Sequence, residues 1–213
     1  MPSYQRSLFD RAAEPDFDRS FRRAARTQLG LGAWVDHAPG WVSGQEALFE
    51  ALLADARWDE TEQQIYDKKV VTPRLVASLP EHSQARAVIE AMRAALSQRY
   101  GEAFTRMSLA YYRDGRDSVA FHGDRVARVL PQALVATVTL GAGRRFLLRP
   151  RLAAAHGGTR RSVTFQLGGG DLVVMGGTCQ RTWQHAVPKV KHAGPRIALM
   201  FRPVWQEPLE MLT

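Results

Sequence analysis

The residues best suited to chemistry lie in the run AFHGDRV, residues 120–126, where His122 and Asp124 stand on either side of Gly123. Alternate residues of a strand point to the same face, so an imidazole and a carboxylate at this spacing would project together. The plain alternative is a solvated loop at the end of a strand. A second histidine brought back by the fold would complete a set of two imidazoles and one carboxylate. Such a facial triad leaves adjacent positions open on Fe(II), for a co-substrate and for O2. Of the other histidines, His37 and His82 stand near proline turns, and His156 and His192 sit in glycine-containing turns. His185 differs: in RTWQHAVP it occupies a short strand entered after the Gly176–Gly177 turn. Enough chain separates it from Asp124 for several strands to intervene. His185 is therefore the expected third ligand.

The last apolar run supplies an anion site. In RIALMFR, Arg196, Ala198, Met200 and Arg202 share one face by period two. Arginines turned into a small barrel need anions to offset their desolvation. The planar guanidinium fork suits a carboxylate. A dicarboxylate beside the metal would satisfy both the fork and the open metal positions. Taken singly, either arginine could instead be solvated or paired with a structural acid.

The elements that must position these groups fall into two parts. SGQEALFEALLADARW (43–58) reads as a helix, with Ser43 and Glu46 at capping-box spacing and Leu48, Phe49, Leu52 and Leu53 on one face. SQARAVIEAMRAALSQRY (83–100) reads as a second, with Ala85, Val88, Ile89, Met92 and Leu96 aligned. EQQIYDKKVVTPRL (62–75), between them, alternates like a hairpin. After residue 105, eight short apolar or alternating runs follow, from MSLAYYR to RIALMFRP, punctuated by turns such as RDGRD, GAG and GGGD. Strands at this spacing argue for an antiparallel sandwich or barrel. Helices first and strands afterwards make an α+β domain, with the helices packed on one sheet. Residues 1–28 are polar and weakly patterned, and read as a loose, flexible N-terminal segment. Residues 29–213 then form a single domain.

Composition narrows the function classes. The chain has 213 residues, 45% of them hydrophobic and 23% charged, a soluble globular balance. No apolar run approaches the ~20 residues of a membrane helix, and no signal peptide is evident. One cysteine, Cys179, excludes an internal disulfide and a cysteine-based zinc site. A cytoplasmic monomer without a membrane partner is the expectation. The net charge of +8 is uneven: residues 1–100 carry 13 basic and 14 acidic side chains, residues 101–213 carry 16 and 7. A basic half suggests a polyanionic partner, nucleic acid being the commonest, although arginine bias from a GC-rich genome would give the same excess.

YYRDGRDSVAFHGD, LVVMGGTCQRTWQHAVP and GPRIALMFRP together resemble the AlkB-like Fe(II)/2-oxoglutarate-dependent dioxygenases, which repair alkylated nucleic acid. The likeness spans roughly residues 30–204. It implies a double-stranded β-helix, or jelly roll, over residues 105–204, with the N-terminal helices on one sheet. It also implies that His122, Asp124 and His185 bind Fe(II). Tyr112 and Arg196 would hold the distal carboxylate of 2-oxoglutarate, and Arg202 would stabilise the end nearer the metal. The implied reaction uses O2 and converts 2-oxoglutarate to succinate. An N-methyl group on a base of methylated DNA, or of RNA, is hydroxylated and lost as formaldehyde; 1-methyladenine and 3-methylcytosine are the expected lesions.

The family's nucleotide-recognition lid precedes the core sheet and so falls on 62–75. That makes Tyr66 the candidate base stacker, with Asp67 and Arg74 as polar contacts. Trp183, two before His185 on the same strand face, is a candidate pocket residue; a packed core tryptophan is the alternative. The sequence departs from the family pattern in three respects. Ala110 and Ala198 stand where asparagines are common, and Arg125 and Val126 follow Asp124 where an acid is frequent. Two other readings remain: a 2-oxoglutarate hydroxylase of a small molecule or protein side chain on the same fold, and a non-catalytic nucleic-acid-binding module.

Overall fold

The computed structural model describes residues 14–65, 68–124, 130–151 and 162–203. Its N-terminal part contains β1 (Asp16–Phe17), β2 (Ala25–Gly30), β3 (Ala33–Ala38), β4 (Val42–Ser43) and α1 (Gln45–Asp55). A hairpin of β5 (Asp59–Ile65) and β6 (Lys68–Ser78) comes next, then α2 (Arg86–Tyr100). The eight strands expected after residue 105 are all present. They are β7 (Phe104–Tyr112), β8 (Val119–His122), β9 (Val135–Gly141), β10 (Arg144–Pro150), β11 (Val163–Leu167), β12 (Leu172–Gly177), β13 (Trp183–Val187) and β14 (Arg196–Pro203). A single turn, α3 (Cys179–Thr182), joins β12 to β13.

These eight strands divide between two sheets. The larger has the order β2-β3-β12-β9-β14-β7-β6-β5, and the smaller β11-β10-β13-β8. The pairings within both are antiparallel. The chain crosses from one sheet to the other after β7, β8, β9, β11, β12 and β13, which is the winding of a jelly roll.

Period two in the large sheet separates two cores. In β14, Ile197, Leu199 and Phe201 are fully buried in an apolar cluster with Leu48 and Leu52 of α1 and Ile89, Met92 and Leu96 of α2. The intervening Arg196, Ala198, Met200 and Arg202 face the space between the sheets. The helices thus cover one face of the large sheet and the small sheet covers the other. Strand β9, sandwiched on both sides, is buried at all of its positions.

Three expectations need correction. The flexible segment expected over residues 1–28 is part of the fold from Asp16 onward. Phe17 and Phe21 are buried against Trp41, with ring centroids 5.0 and 5.5 Å away, and β2 is an edge strand of the large sheet. The capping box of Ser43 and Glu46 does not form. Gly44 is the N-cap, with φ 60°, where a side chain would be strained, and Ser43 Oγ instead donates to the Asp16 carbonyl at 3.3 Å. The hairpin expected at 62–75 is longer, and β6 pairs with β7 as well as β5, extending the large sheet.

Candidate active site

Two of the three expected metal ligands meet by strand register. His122 of β8 lies directly opposite His185 of β13, with ring centroids 4.2 Å apart. His122 Nδ1 donates to the Ala120 carbonyl at 2.8 Å, which leaves Nε2 free to ligate. Asp124 lies just beyond β8, in the turn after Gly123. One ligand atom from each of His122, Asp124 and His185 lies within 4.8 Å of the others, the only such cluster among the described residues. His37 is occupied elsewhere, 3.0 Å from Asp171 Oδ2.

Asp124 shows what the cluster lacks. Its Oδ1 accepts from Arg202 Nη2 at 2.9 Å, while Oδ2 is buried with no hydrogen-bond partner among the described residues. Burial alone would raise this carboxyl's pKa. The Arg202 guanidinium and the two imidazoles outweigh burial and hold it below the usual range. Burial, reinforced by His122, pushes His185 down to about 3. At neutral pH the cluster therefore offers a carboxylate and neutral imidazoles, the forms a metal requires. A buried, unpaired carboxylate oxygen between two such imidazoles fits a divalent metal.

The turn at Gly123 is tight. A Cβ there would sit 2.6 Å from the Gln180 carbonyl oxygen in α3, and the next amide, that of Asp124, donates to Gln180 Oε1 at 3.0 Å. Gly123→Ala must push backbone apart at the ligand itself. Its expected effect is a loss of Fe(II) affinity of about 10- to 100-fold, the range seen when a ligand's supporting contacts are lost. Anaerobic Fe(II) titration checks it, and an unchanged affinity would show that the turn relaxes without moving Asp124.

Beyond the cluster lies a cavity of about 200 Å3 lined by Arg74, Tyr112, Thr137, Phe146, Ala198 and Met200, with the three ligands, Arg196 and Arg202. Arg196 is buried on all sides. Its Nη2 donates to Thr139 Oγ1 at 3.1 Å, but Nε and Nη1 have no partner among the described residues. Its guanidinium stands 5.0 Å from the centre of the Tyr112 ring, and Tyr112 Oη accepts from Arg74 Nη1 at 3.0 Å. Burial draws Arg196 below its usual pKa, yet an arginine stays charged. Buried cationic donors left unpaired are costly, so this end of the cavity fits a carboxylate. Arg202 ties the ends together, donating to Ser108 Oγ at 2.9 Å as well as to Asp124.

The sequence residues His122, Asp124, His185, Tyr112, Arg74, Arg196 and Arg202 thus converge on one cavity. Trp183 does not join them. It is buried in the core between the sheets, with Phe146 and Leu148 in the same apolar cluster, and is not part of the cavity lining. Tyr66, Asp67, Arg125 and Val126 lie outside the described residues. Ala110 and Ala198 are register partners on β7 and β14 and both are buried. Thr139, Ser108 and Gln180 were missed in the sequence. For Thr139 a signal existed: in ALVATVTLG the threonines recur at every second position, the cavity side of an otherwise apolar strand.

The signature of the 2OG-Fe(II) oxygenase superfamily matches residues 36–202. The chain belongs to that superfamily. This oxygenase domain uses Fe(II), 2-oxoglutarate and O2, and is a dioxygenase. Among curated proteins it is similar to human alkB homolog 3, an α-ketoglutarate-dependent dioxygenase. Identity is 28% over 188 residues, covering 80% of this chain and 66% of that protein. The bovine homolog 3 is 30% identical over the same coverage. The human DNA oxidative demethylase ALKBH2 is 30% identical over 120 residues, 55% of this chain and 46% of that one. The chain thus spans about two thirds of the length of the homolog 3 proteins. A solved 2OG-Fe(II) oxygenase-family oxidoreductase from Burkholderia pseudomallei shares the fold. Its TM-score is 0.54 at 14% identity, covering 79% of this chain and 84% of that one.

Proposed function

We propose that this oxygenase removes N-linked alkyl groups from bases in DNA, such as those of 1-methyladenine and 3-methylcytosine, and releases formaldehyde. In the same reaction 2-oxoglutarate and O2 become succinate and CO2. The carrying observation is the likeness to alkB homolog 3 across 80% of the chain. The basic half of the sequence, 16 basic to 7 acidic side chains, agrees with a polyanionic substrate.

In this reading His122, Asp124 and His185 hold Fe(II), and Tyr112 and Arg196 grip the distal carboxylate of 2-oxoglutarate. Arg202 keeps Asp124 ionised and oriented, and lies near the co-substrate's other end. Bound iron supplies the oxidising power that turns the N-methyl group into N-hydroxymethyl. That product then collapses: the C–N bond breaks, its electron pair stays on the base nitrogen, and the hydroxyl proton leaves as formaldehyde forms. The side chains around the cavity orient the reactants and keep bulk water out. Tyr66 and Asp67 are the proposed base contacts in the lid, beside Arg74.

Formaldehyde release from a 3-methylcytosine single strand, with Fe(II), 2-oxoglutarate and ascorbate, tests the reading. Binding of that strand is expected to weaken by about 0.7 log units per log unit of salt for each phosphate neutralised. No formaldehyde at any salt, with 2-oxoglutarate consumed on a small molecule or peptide, would move the assignment to a hydroxylase of those substrates.

A further inference from the structure

We propose that Arg144 is a positioning residue for the co-substrate. From outside the cavity it sets the span between the iron ligands and the Tyr112–Arg196 pair, and with it the length of dicarboxylate the site accepts. The proposal rests on the reading that Tyr112 and Arg196 hold the carboxylate far from the metal.

The two ends of the cavity belong to different sheets. His122 and His185 stand on β8 and β13 of the small sheet. Tyr112 ends β7 and Arg196 opens β14 of the large sheet, where the two are register partners. A dicarboxylate held at both ends therefore bridges the sheets, and its fit depends on their separation. Two turns cross that gap. Residues 113–118 lead from Tyr112 into β8, and residues 188–195 lead from β13 to Arg196. Each turn thus joins a strand carrying a histidine ligand to a strand carrying a co-substrate residue.

Arg144 fastens one turn to the other. It is the first residue of β10, in the small sheet, and is only 5% exposed. Its Nη1 donates to the Asp114 carbonyl at 3.1 Å, and its Nη2 to the carbonyls of Asp117 at 3.0 Å and Pro188 at 2.6 Å. The carboxylates of the first turn are engaged elsewhere, Asp117 by Arg113 and Asp114 by Arg116. A buried cation is thus matched by three backbone carbonyls drawn from two turns. Guanidinium donors lie in one rigid plane, so acceptors on them are fixed relative to one another. The Arg144 guanidinium also stands 6.0 Å from the centre of the Tyr112 ring, which places the clasp beside the co-substrate residue itself. The turns touch directly as well. The Val190 amide donates to the Gly115 carbonyl at 2.9 Å, and a Cβ on Gly115 would lie 2.3 Å from the Val190 carbonyl oxygen.

An apolar side chain could fill this place without burying a charge. What the fork adds is a fixed distance between the turns. The histidine ligands are paired by the register of β8 and β13, in which Arg144 takes no part. Loosening the clasp should therefore spare the metal end and move the far end.

Calorimetric titration of the anaerobic Fe(II) protein with 2-oxoglutarate and with 2-oxoadipate, one methylene longer, tests this. Wild type is expected to prefer 2-oxoglutarate by about tenfold or more, the scale of discrimination over one methylene in a fitted pocket. Arg144→Lys keeps the charge and loses the fork. Its affinity for 2-oxoglutarate is expected to fall about tenfold, the lower end of what losing an orienting contact costs. Its preference between the two acids should shrink towards one, while Fe(II) affinity, titrated separately, stays at the wild-type value. Gly115→Ala keeps Arg144 and pries the same turns apart, so it should erode the preference too, and it decides the matter if the lysine variant does not fold. No preference in wild type, a preference that survives in either folded variant, or a matching loss of Fe(II) affinity overturns this inference alone. Wild-type affinity for 2-oxoglutarate in Arg196→Lys, titrated alongside, would overturn the reading of that arginine and this inference with it.

Discussion

His185→Ala is expected to abolish Fe(II) binding and turnover while the fold stands. The imidazole faces the cavity from β13 directly across from His122, and removing it takes away one of three ligands. Loss of contacts behind a ligand already costs about 10- to 100-fold in metal affinity, so loss of the ligand itself should exceed that range. The site lies where the sheets face each other, and the apolar cluster beneath the helices does not include His185. His185→Ala is a cleaner test than Asp124→Ala, which would also strand the Arg202 guanidinium now paired at 2.9 Å. Anaerobic Fe(II) titration and succinate formation are the readouts, with circular dichroism as the folding control. Turnover at the wild-type level would remove His185 from the ligand set.

Arg196→Met is expected to have two opposite effects. Without co-substrate the variant should be more stable than wild type by about 1–4 kcal/mol, because a buried cation with unpaired donors is replaced by an apolar side chain of similar length. With co-substrate the gap should shrink by the wild type's ligand-dependent gain, which the variant lacks. A ligand at about 100 times its Kd stabilises the folded state by about 2.7 kcal/mol, or roughly 5–11 °C in Tm for a chain of this size. Wild type should show that rise with 2-oxoglutarate and the variant should not. Arg196→Lys, which keeps the charge and loses the fork, should fall between them. A full 2-oxoglutarate-dependent rise in Arg196→Met would exclude this arginine from the co-substrate site.

The jelly-roll strands were legible because glycine, proline and polar turns cut the sequence at nearly every strand end, and because strands such as β14 alternate cleanly. The ligands were legible for the same reason, since His122, His185 and both arginines of β14 sit at strand positions whose facing follows from period two. What was not legible is long-range. Phe17 and Phe21 stand among charges, and only packing against Trp41, far along the chain, makes them core residues. The two-residue strands β1 and β4 exist through their pairing and carry no pattern of their own. Gly44 displaced a correctly spaced capping box because a left-handed residue lets the chain turn out of β4 directly into α1. Trp183 shares the alternation of His185, but facing alone could not show that the cavity stops short of it. The partners of Arg196 and Asp124, Thr139 and Gln180, come from other strands and turns, and no local spacing announces them.

The alternation in β14 also sets what kind of sequence change this protein can survive. Substitutions at Ala198 or Met200 act on the cavity wall, and those at Ile197, Leu199 or Phe201 act on the helix-side core, so specificity and stability can drift independently along one strand. Insertion or deletion of a single residue within that strand would end the independence at once. It would exchange the two faces for every residue on one side of the change, turning Arg196 or Arg202 against the helices and bringing leucine or phenylalanine to the space meant for a carboxylate. Point changes can tune this enzyme, but a one-residue change of length in its last strand would destroy both the core and the site.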